Sequence, residues 1–224
     1  MKKIIMSLLA AASLSAPALA DDSKITKGYY TMDAMGCMLL RDCTNGVSKV
    51  KSISDIADTY PDRNFDVVAE EFNNMLIALN RVGVNVFLAE EKYFPVGHRG
   101  VYHTVGNNFF LNKAFMHRPN TLMSVMRHEG WHAAQDCMAG TIKNNMIAII
   151  HNEEDVPKMW QELVKRTYKD MPHAIPWEKE AYWAGKTKGM TMQALQSCAR
   201  GTMWTDYEPT PMTREWLEEE GYIK

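Results

Sequence analysis

Apolar positions follow two rhythms along this chain, and the places where the rhythm changes divide it into elements. From Phe65 to Leu79 the side chains of Phe65, Val68, Ala69, Phe72, Leu76 and Leu79 recur at intervals of three and four. That spacing gathers them on one face of an amphipathic helix, which Gly83 closes. Val84, Val86 and Leu88 then recur at intervals of two, and Val101–Val105 and Phe109–Leu111 follow as short apolar runs separated by Gly97, Gly100, Gly106 and Asn107. A period of two belongs to strands, so a small antiparallel sheet of two to four strands is expected here.

Helical spacing returns after the sheet and persists. Asn120 or Thr121 caps a helix that runs to about Met138 and stops at Gly140. Asp155 caps another, with Trp160, Leu163, Val164 and Thr167 on its face, that ends before Pro172. Pro176 begins a third, through about Lys186, and residues 191–200 form a fourth. The stretch Ile142–Ile150 is apolar but has no assigned type, and Arg214–Tyr222 reads as an acidic helical tail. Residues 24–50 carry short apolar runs, a Gly36-Cys37 step and an Asn45-Gly46 turn signal, which read as a loop or hairpin. The expected class is therefore α+β, with a short antiparallel sheet packed on the 121–138 helix and a mainly helical C-terminal half. No repeat, low-complexity segment or linker divides it.

The first twenty residues stand apart from this pattern. Lys2 and Lys3 form a basic head, Ile4–Leu14 an apolar stretch, and Ala18-Leu19-Ala20 a small-residue end, the three parts of a signal peptide cleaved before Asp21. Residues 21–224 then form one domain of 204 residues, and loss of the two lysines takes the formal charge from -2 to -4. With 25 basic against 27 acidic side chains, the chain has no positive excess for a phosphate backbone, so nucleic acid is excluded as a general partner. No later run reaches the ~20 apolar residues of a membrane span, and a secreted or periplasmic protein that leaves the membrane after cleavage is expected.

Export changes the meaning of the four cysteines. In an oxidising compartment the simplest pairing is a local loop, Cys37 with Cys43, and a long-range link, Cys137 with Cys198. No CxxC spacing favours a four-cysteine zinc site.

The densest chemistry lies inside the 121–138 helix, where His128-Glu129-Gly130-Trp131-His132 forms an HExxH motif. Four residues advance a helix by about 400°, so both imidazoles leave one face about one turn apart, close enough to share a metal. Glu129 is displaced by about 100°, beside that face, where it can reach a metal-bound water without being a ligand. A catalytic zinc wants a third protein ligand and an open position. A metzincin would supply a histidine at position 138, which is Met138. Asp136, one turn past His132, is a ligand candidate, though an orienting role suits its short side chain better.

Two glutamates open the helix that follows Pro176, and they project about 200° apart. Glu180 shares a face with Trp177, Ala181 and Ala184, whose small alanines permit close approach to another helix, and it is the expected third ligand. Glu178, with Tyr182 and Gly185, is the fallback, because an acid in a first helical turn is usual for dipole reasons alone. His98, His103 and His117 lack ligand spacing, and no GxSxG nucleophile motif is present.

HExxH with a glutamate on a later helix resembles the gluzincin, or thermolysin-like, metallopeptidases over about residues 100–185. The resemblance implies a zincin-like domain in which Zn2+ is held by His128, His132 and Glu180, with Glu129 as general base for hydrolysis of a peptide or protein substrate. It also implies an edge strand along the cleft, for which Asn108, Phe109, Phe110, Leu111 and Asn112 are the natural candidate, able to bind an extended peptide by strand addition. The 48-residue gap from His132 to Glu180 is longer than in thermolysin. The group's transition-state donor has no clear match, and Tyr168, His173, His151 and Tyr207 are candidates. The competing expectation is an exported, disulfide-stabilised structural or binding protein whose motif holds a metal without turnover.

Overall fold

The computed structural model describes residues 32–140, 142, 146–208 and 218–219. The signal peptide and most of the acidic tail expected at the two ends lie outside the described residues, as do Thr141 and residues 143–145. Within them the chain is α+β, with eight α-helices and one four-stranded sheet.

The chain enters as a helix, α1 (Met32–Leu39), where a loop or hairpin was expected, and the Cys37–Cys43 disulfide closes the turn behind it. Strand β1 (Val47–Lys49) and a short helix α2 (Ile53–Thr59) follow. Helix α2 starts at a capping box, in which the Ser52 side chain accepts from the Ser54 N–H and Asp55 reaches back to the Ser52 N–H. Helix α3 (Asp66–Arg81) buries the expected Val68, Phe72, Leu76 and Leu79.

The sheet comprises β1, β2 (Asn85–Ala89), β3 (Gly100–His103) and β4 (Asn108–Asn112), in the order β1-β2-β4-β3. It is mixed, not antiparallel. β3 and β4 form an antiparallel hairpin, Gly100 opposite Leu111 and His103 opposite Asn108, but β4 slots between β3 and β2 and runs parallel to β2. The alternation within β2 and β4 sorts two cores: Val86, Leu88, Phe109 and Leu111 join the main helical core, whereas Phe87, Ala89 and Phe110 face α1 with Met38, Tyr93 and Phe94. Strands buried on both faces read as continuous apolar runs, which is why Asn-Phe-Phe-Leu-Asn gave no clear sense of sides.

This topology corrects one expectation. Asn108, Phe109, Phe110, Leu111 and Asn112 cannot line a cleft as an edge strand, because β4 has a paired neighbour on both sides and all five residues are buried. The edge is β3.

Helix α4 (Pro119–Met138) runs through the centre of the main core, with Leu122, Met126, Trp131 and Met138 fully buried. Around it pack α3, α6 (Ile175–Lys186) and α7 (Met190–Arg200), while α5 (Lys158–Thr167) packs on α6 and α8 (Met203–Asp206) follows α7. Two glycines set the closeness of these crossings. A Cβ on Gly130 would stand 3.0 Å from Thr191 Cγ2 of α7, and the Thr191 hydroxyl donates to the Arg127 carbonyl at 2.8 Å. A Cβ on Gly185 would stand 3.1 Å from the Ser124 carbonyl oxygen and 3.2 Å from His128 Cβ, so α6 touches α4 at the first motif histidine.

The Cys137–Cys198 disulfide joins the C-terminal ends of α4 and α7, as expected. Two disulfides fit an extracellular or periplasmic protein. No described helix is long and apolar enough to cross a membrane.

Candidate metal centre

His128 and His132 leave α4 one turn apart with ring centroids at 5.0 Å. The side chain that faces both is Glu178, not Glu180. Ligand atoms of His128, His132 and Glu178 all lie within 4.8 Å of one another, a group that can hold a metal ion. Glu178 Oε2 is 3.4 Å from His128 Nε2 and Glu178 Oε1 is 3.5 Å from His132 Nε2. Two donors of a tetrahedral zinc, each about 2.05 Å from the ion, stand about 3.3 Å apart, so the spacing suits such an ion. Glu178 Oε2 is also buried and makes no hydrogen bond of full geometry, although the His128 and Tyr168 side chains stand close to the carboxylate.

The electrostatics agree with the geometry. Burial alone would raise the Glu178 carboxyl, but His132 and His128 beside it hold it well below the usual carboxylate range. Burial alone would lower His132, yet the facing Glu178 overcomes it and lifts the imidazole to about 9.

Glu180 has other partners, and these overturn its expected role as third ligand. It is 1% exposed and accepts from Trp131 Nε1 at 3.0 Å, Gln135 Nε2 at 2.8 Å, the Ile150 N–H at 2.9 Å and the His151 N–H at 2.7 Å. Burial pushes it up to about 7, while those donors oppose the rise. The small-residue face that carries Glu180 does bury against the core; the metal group stands at the margin of that contact, on the face of Glu178, Tyr182 and Gly185.

Glu129 sits beside the histidines and is 7% exposed. Burial raises its pKa, and His128 and His132 offset part of the rise. It packs against the edge strand: a Cβ on Gly100 would stand 3.0 Å from Glu129 Cγ, and the Tyr102 backbone hydrogen-bonds to the carboxylate. A cleft of about 570 Å³ opens here, bounded by Arg99 and Gly100 before and in β3, His128 and Glu129 on α4, and Tyr168 and Tyr182 across from them.

The remaining sequence candidates separate cleanly. Tyr168 lines the cleft, and burial followed by the Glu178 charge keeps its hydroxyl protonated. His173 is exposed on the turn Pro172–Ala174. His151 stacks on Trp131 at 5.6 Å and meets Tyr207 at 5.5 Å, within the group around Glu180. Asp136 does not reach His132; it accepts from the Tyr102 hydroxyl at 2.6 Å. The partner of His132 is Gln135, whose Oε1 lies 2.8 Å from Nδ1. Tyr182, placed by the sequence on the face of Glu178 but given no role, packs its ring edge-on against His128 at 5.1 Å. The signal for both was helical spacing, Gln135 three residues after His132 and Tyr182 four after Glu178.

Comparison of the chain with protein-family models, with curated proteins and with solved structures finds no significant match. Its function is therefore argued from these side chains alone.

Proposed function

We propose that this protein is an exported zinc metallopeptidase of gluzincin type, with His128, His132 and Glu178 as the metal ligands and Glu129 as the general base. The observation that carries the reading is the convergence of two imidazoles and one carboxylate within 4.8 Å, beside a buried glutamate, with His128 and Glu129 lining an open cleft. Two nitrogens and one oxygen are the donor set of open, catalytic zinc sites; structural zinc sites close all four positions with protein ligands. Bound zinc supplies Lewis acidity, lowering the pKa of a coordinated water and polarising the substrate carbonyl.

The chain's own groups do the rest. Glu129 accepts the proton of the attacking water, and its raised pKa suits a group that then passes that proton to the leaving amine. Tyr168, and beside it Tyr182, offers an O–H to the oxygen on which charge develops. The outer edge of β3, Gly100–His103, takes the place first given to β4 as the strand to which an extended peptide can add.

The test is hydrolysis of a quenched fluorescent peptide library by the wild type and by Glu129→Gln. Loss of kcat by about 10²–10⁴-fold in the variant, with zinc content unchanged, is expected. Equal activity in the two proteins contradicts the mechanism. Zinc binding by a wild type that cleaves nothing would instead favour a metal-holding protein without turnover.

A further inference from the structure

The geometry points to Gln135 and Glu180 as a positioning pair that fixes which nitrogen of His132 is free for the metal, although neither residue is itself one of the metal-holding side chains. This inference rests on the metal centre proposed above and assigns a part to a carboxylate that centre does not use.

The deduction starts at the Gln135 amide, whose two ends face different chemistry. Its nitrogen end lies 2.8 Å from Glu180 Oε2 and 3.1 Å from the Trp177 carbonyl oxygen, both acceptors. The end that meets them must be the NH2 group. The oxygen end therefore faces His132 Nδ1, at 2.8 Å. An amide oxygen only accepts, so Nδ1 carries the hydrogen and Nε2, 3.5 Å from Glu178 Oε1, presents its lone pair to the metal group.

Glu180 locks this orientation. A flipped amide would set its oxygen against a carboxylate and a carbonyl, and its NH2 against Nδ1–H. Glu180 is itself held by Trp131 Nε1, on the turn of α4 between the two ligand histidines, and by the Ile150 and His151 N–H groups. All its neighbours in this set are donors, so it has no reason to turn away from Gln135. The order of control runs from Glu180 to Gln135 to His132. Outer partners of metal-binding histidines of this kind commonly change metal affinity 10–100-fold when removed.

The experiment uses the full chain, with zinc as the only added ligand, and compares wild type, Gln135→Met, Glu180→Gln and the exchange Gln135→Glu with Glu180→Gln. Zinc affinity is measured by chelator competition, melting is followed in excess chelator, and the His132 ring nitrogens are read by NMR in the neutral, metal-free ring at alkaline pH. Zinc affinity is expected to fall about 10–100-fold in each single variant. In the exchange it recovers only in part, because the carboxylate now on α4 accepts from Nδ1–H and the amide now on α6 donates to that carboxylate, while the Trp177 carbonyl loses its donor. The wild-type ring is expected as the Nδ1–H tautomer. A Gln135→Met protein that melts with the wild type and binds zinc as tightly overturns the inference, as does an Nε2–H tautomer in the wild type. A wild type that takes up no zinc removes the metal-centre reading instead, and the tautomer still decides whether the pair sets the ring.

Discussion

Single atoms decide the geometry of this site. At Gly185 the nearest neighbours of an added Cβ are a backbone carbonyl and the His128 side chain, at 3.1 and 3.2 Å, neither of which can yield without moving a helix. Gly185→Ala is therefore expected to push α6 off α4, lower stability by about 1–3 kcal/mol and weaken metal binding together, as chemical denaturation and chelator competition would show. Gly100→Ala acts on different neighbours, Val125 Cγ1 at 2.7 Å and Glu129 Cγ at 3.0 Å. It would displace Glu129 and spare His128, His132 and Glu178, so under the proposed mechanism kcat should drop while zinc affinity holds; a parallel loss of both would contradict the separation. The misassignment of Glu180 belongs to this scale too. Burial and small neighbours mark the face of a helix that packs, whereas a metal ligand must also face an opening. Glu178 shares its face with Tyr182 and Gly185, a large ring and an absent side chain, and that pairing was the readable sign of a cleft wall.

At the level of elements, the longer helices were legible because their periodicity is local, whereas the short α2 and α8 were not read from the sequence. The edges of α3 and α4 in the structure, Asp66–Arg81 and Pro119–Met138, fall within a few residues of those the spacing predicts. Strand order was not legible, because it is decided by long-range pairing that no local pattern encodes. β4 carries the more apolar sequence and sits inside the sheet, while β3, Gly-Val-Tyr-His, forms its edge beside Glu129. Tyr102 ties that edge to α4 by donating from its hydroxyl to Asp136 at 2.6 Å. Tyr102→Phe leaves a buried carboxylate without this donor and is expected to cost about 1–3 kcal/mol of stability, measured by urea unfolding. A neutral result would mean that the clamp contributes nothing. α1 escaped the sequence reading because its eight residues include Gly36 and a cysteine that pairs just beyond the helix, so the turn signals outweighed the short apolar face.

Across the whole molecule, a central helix is fixed from several sides at once: by the Arg127–Glu71 ion pair to α3 at 2.7 Å, by the disulfide to α7 and by Glu178 and Glu180 across from its motif. The four cysteines could be paired from spacing and compartment because one pair is local and the other is what remains. The buried carboxyls could not be foreseen, since burial is a property of the finished fold, and they give it a pH dependence. Burial pushes Asp136 up to about 7 from 3.8, with the Tyr102 hydrogen bond opposing the rise. The native carboxyl thus keeps a proton that the unfolded chain releases at lower pH. Its contribution is complete below about pH 4 and fades as pH rises to about 7, at on the order of 1 kcal/mol per pH unit. Asp136→Asn should flatten that part of the profile in chelator-treated protein; an unchanged slope would show that Asp136 does not titrate this way. The claim on which all else depends is that Glu178 completes a metal centre with His128 and His132. It is tested most directly by the zinc bound per chain in wild type and in Glu178→Ala. About one zinc in the wild type and its loss in the variant is the result predicted; full zinc retention by Glu178→Ala, or none in the wild type, would contradict it.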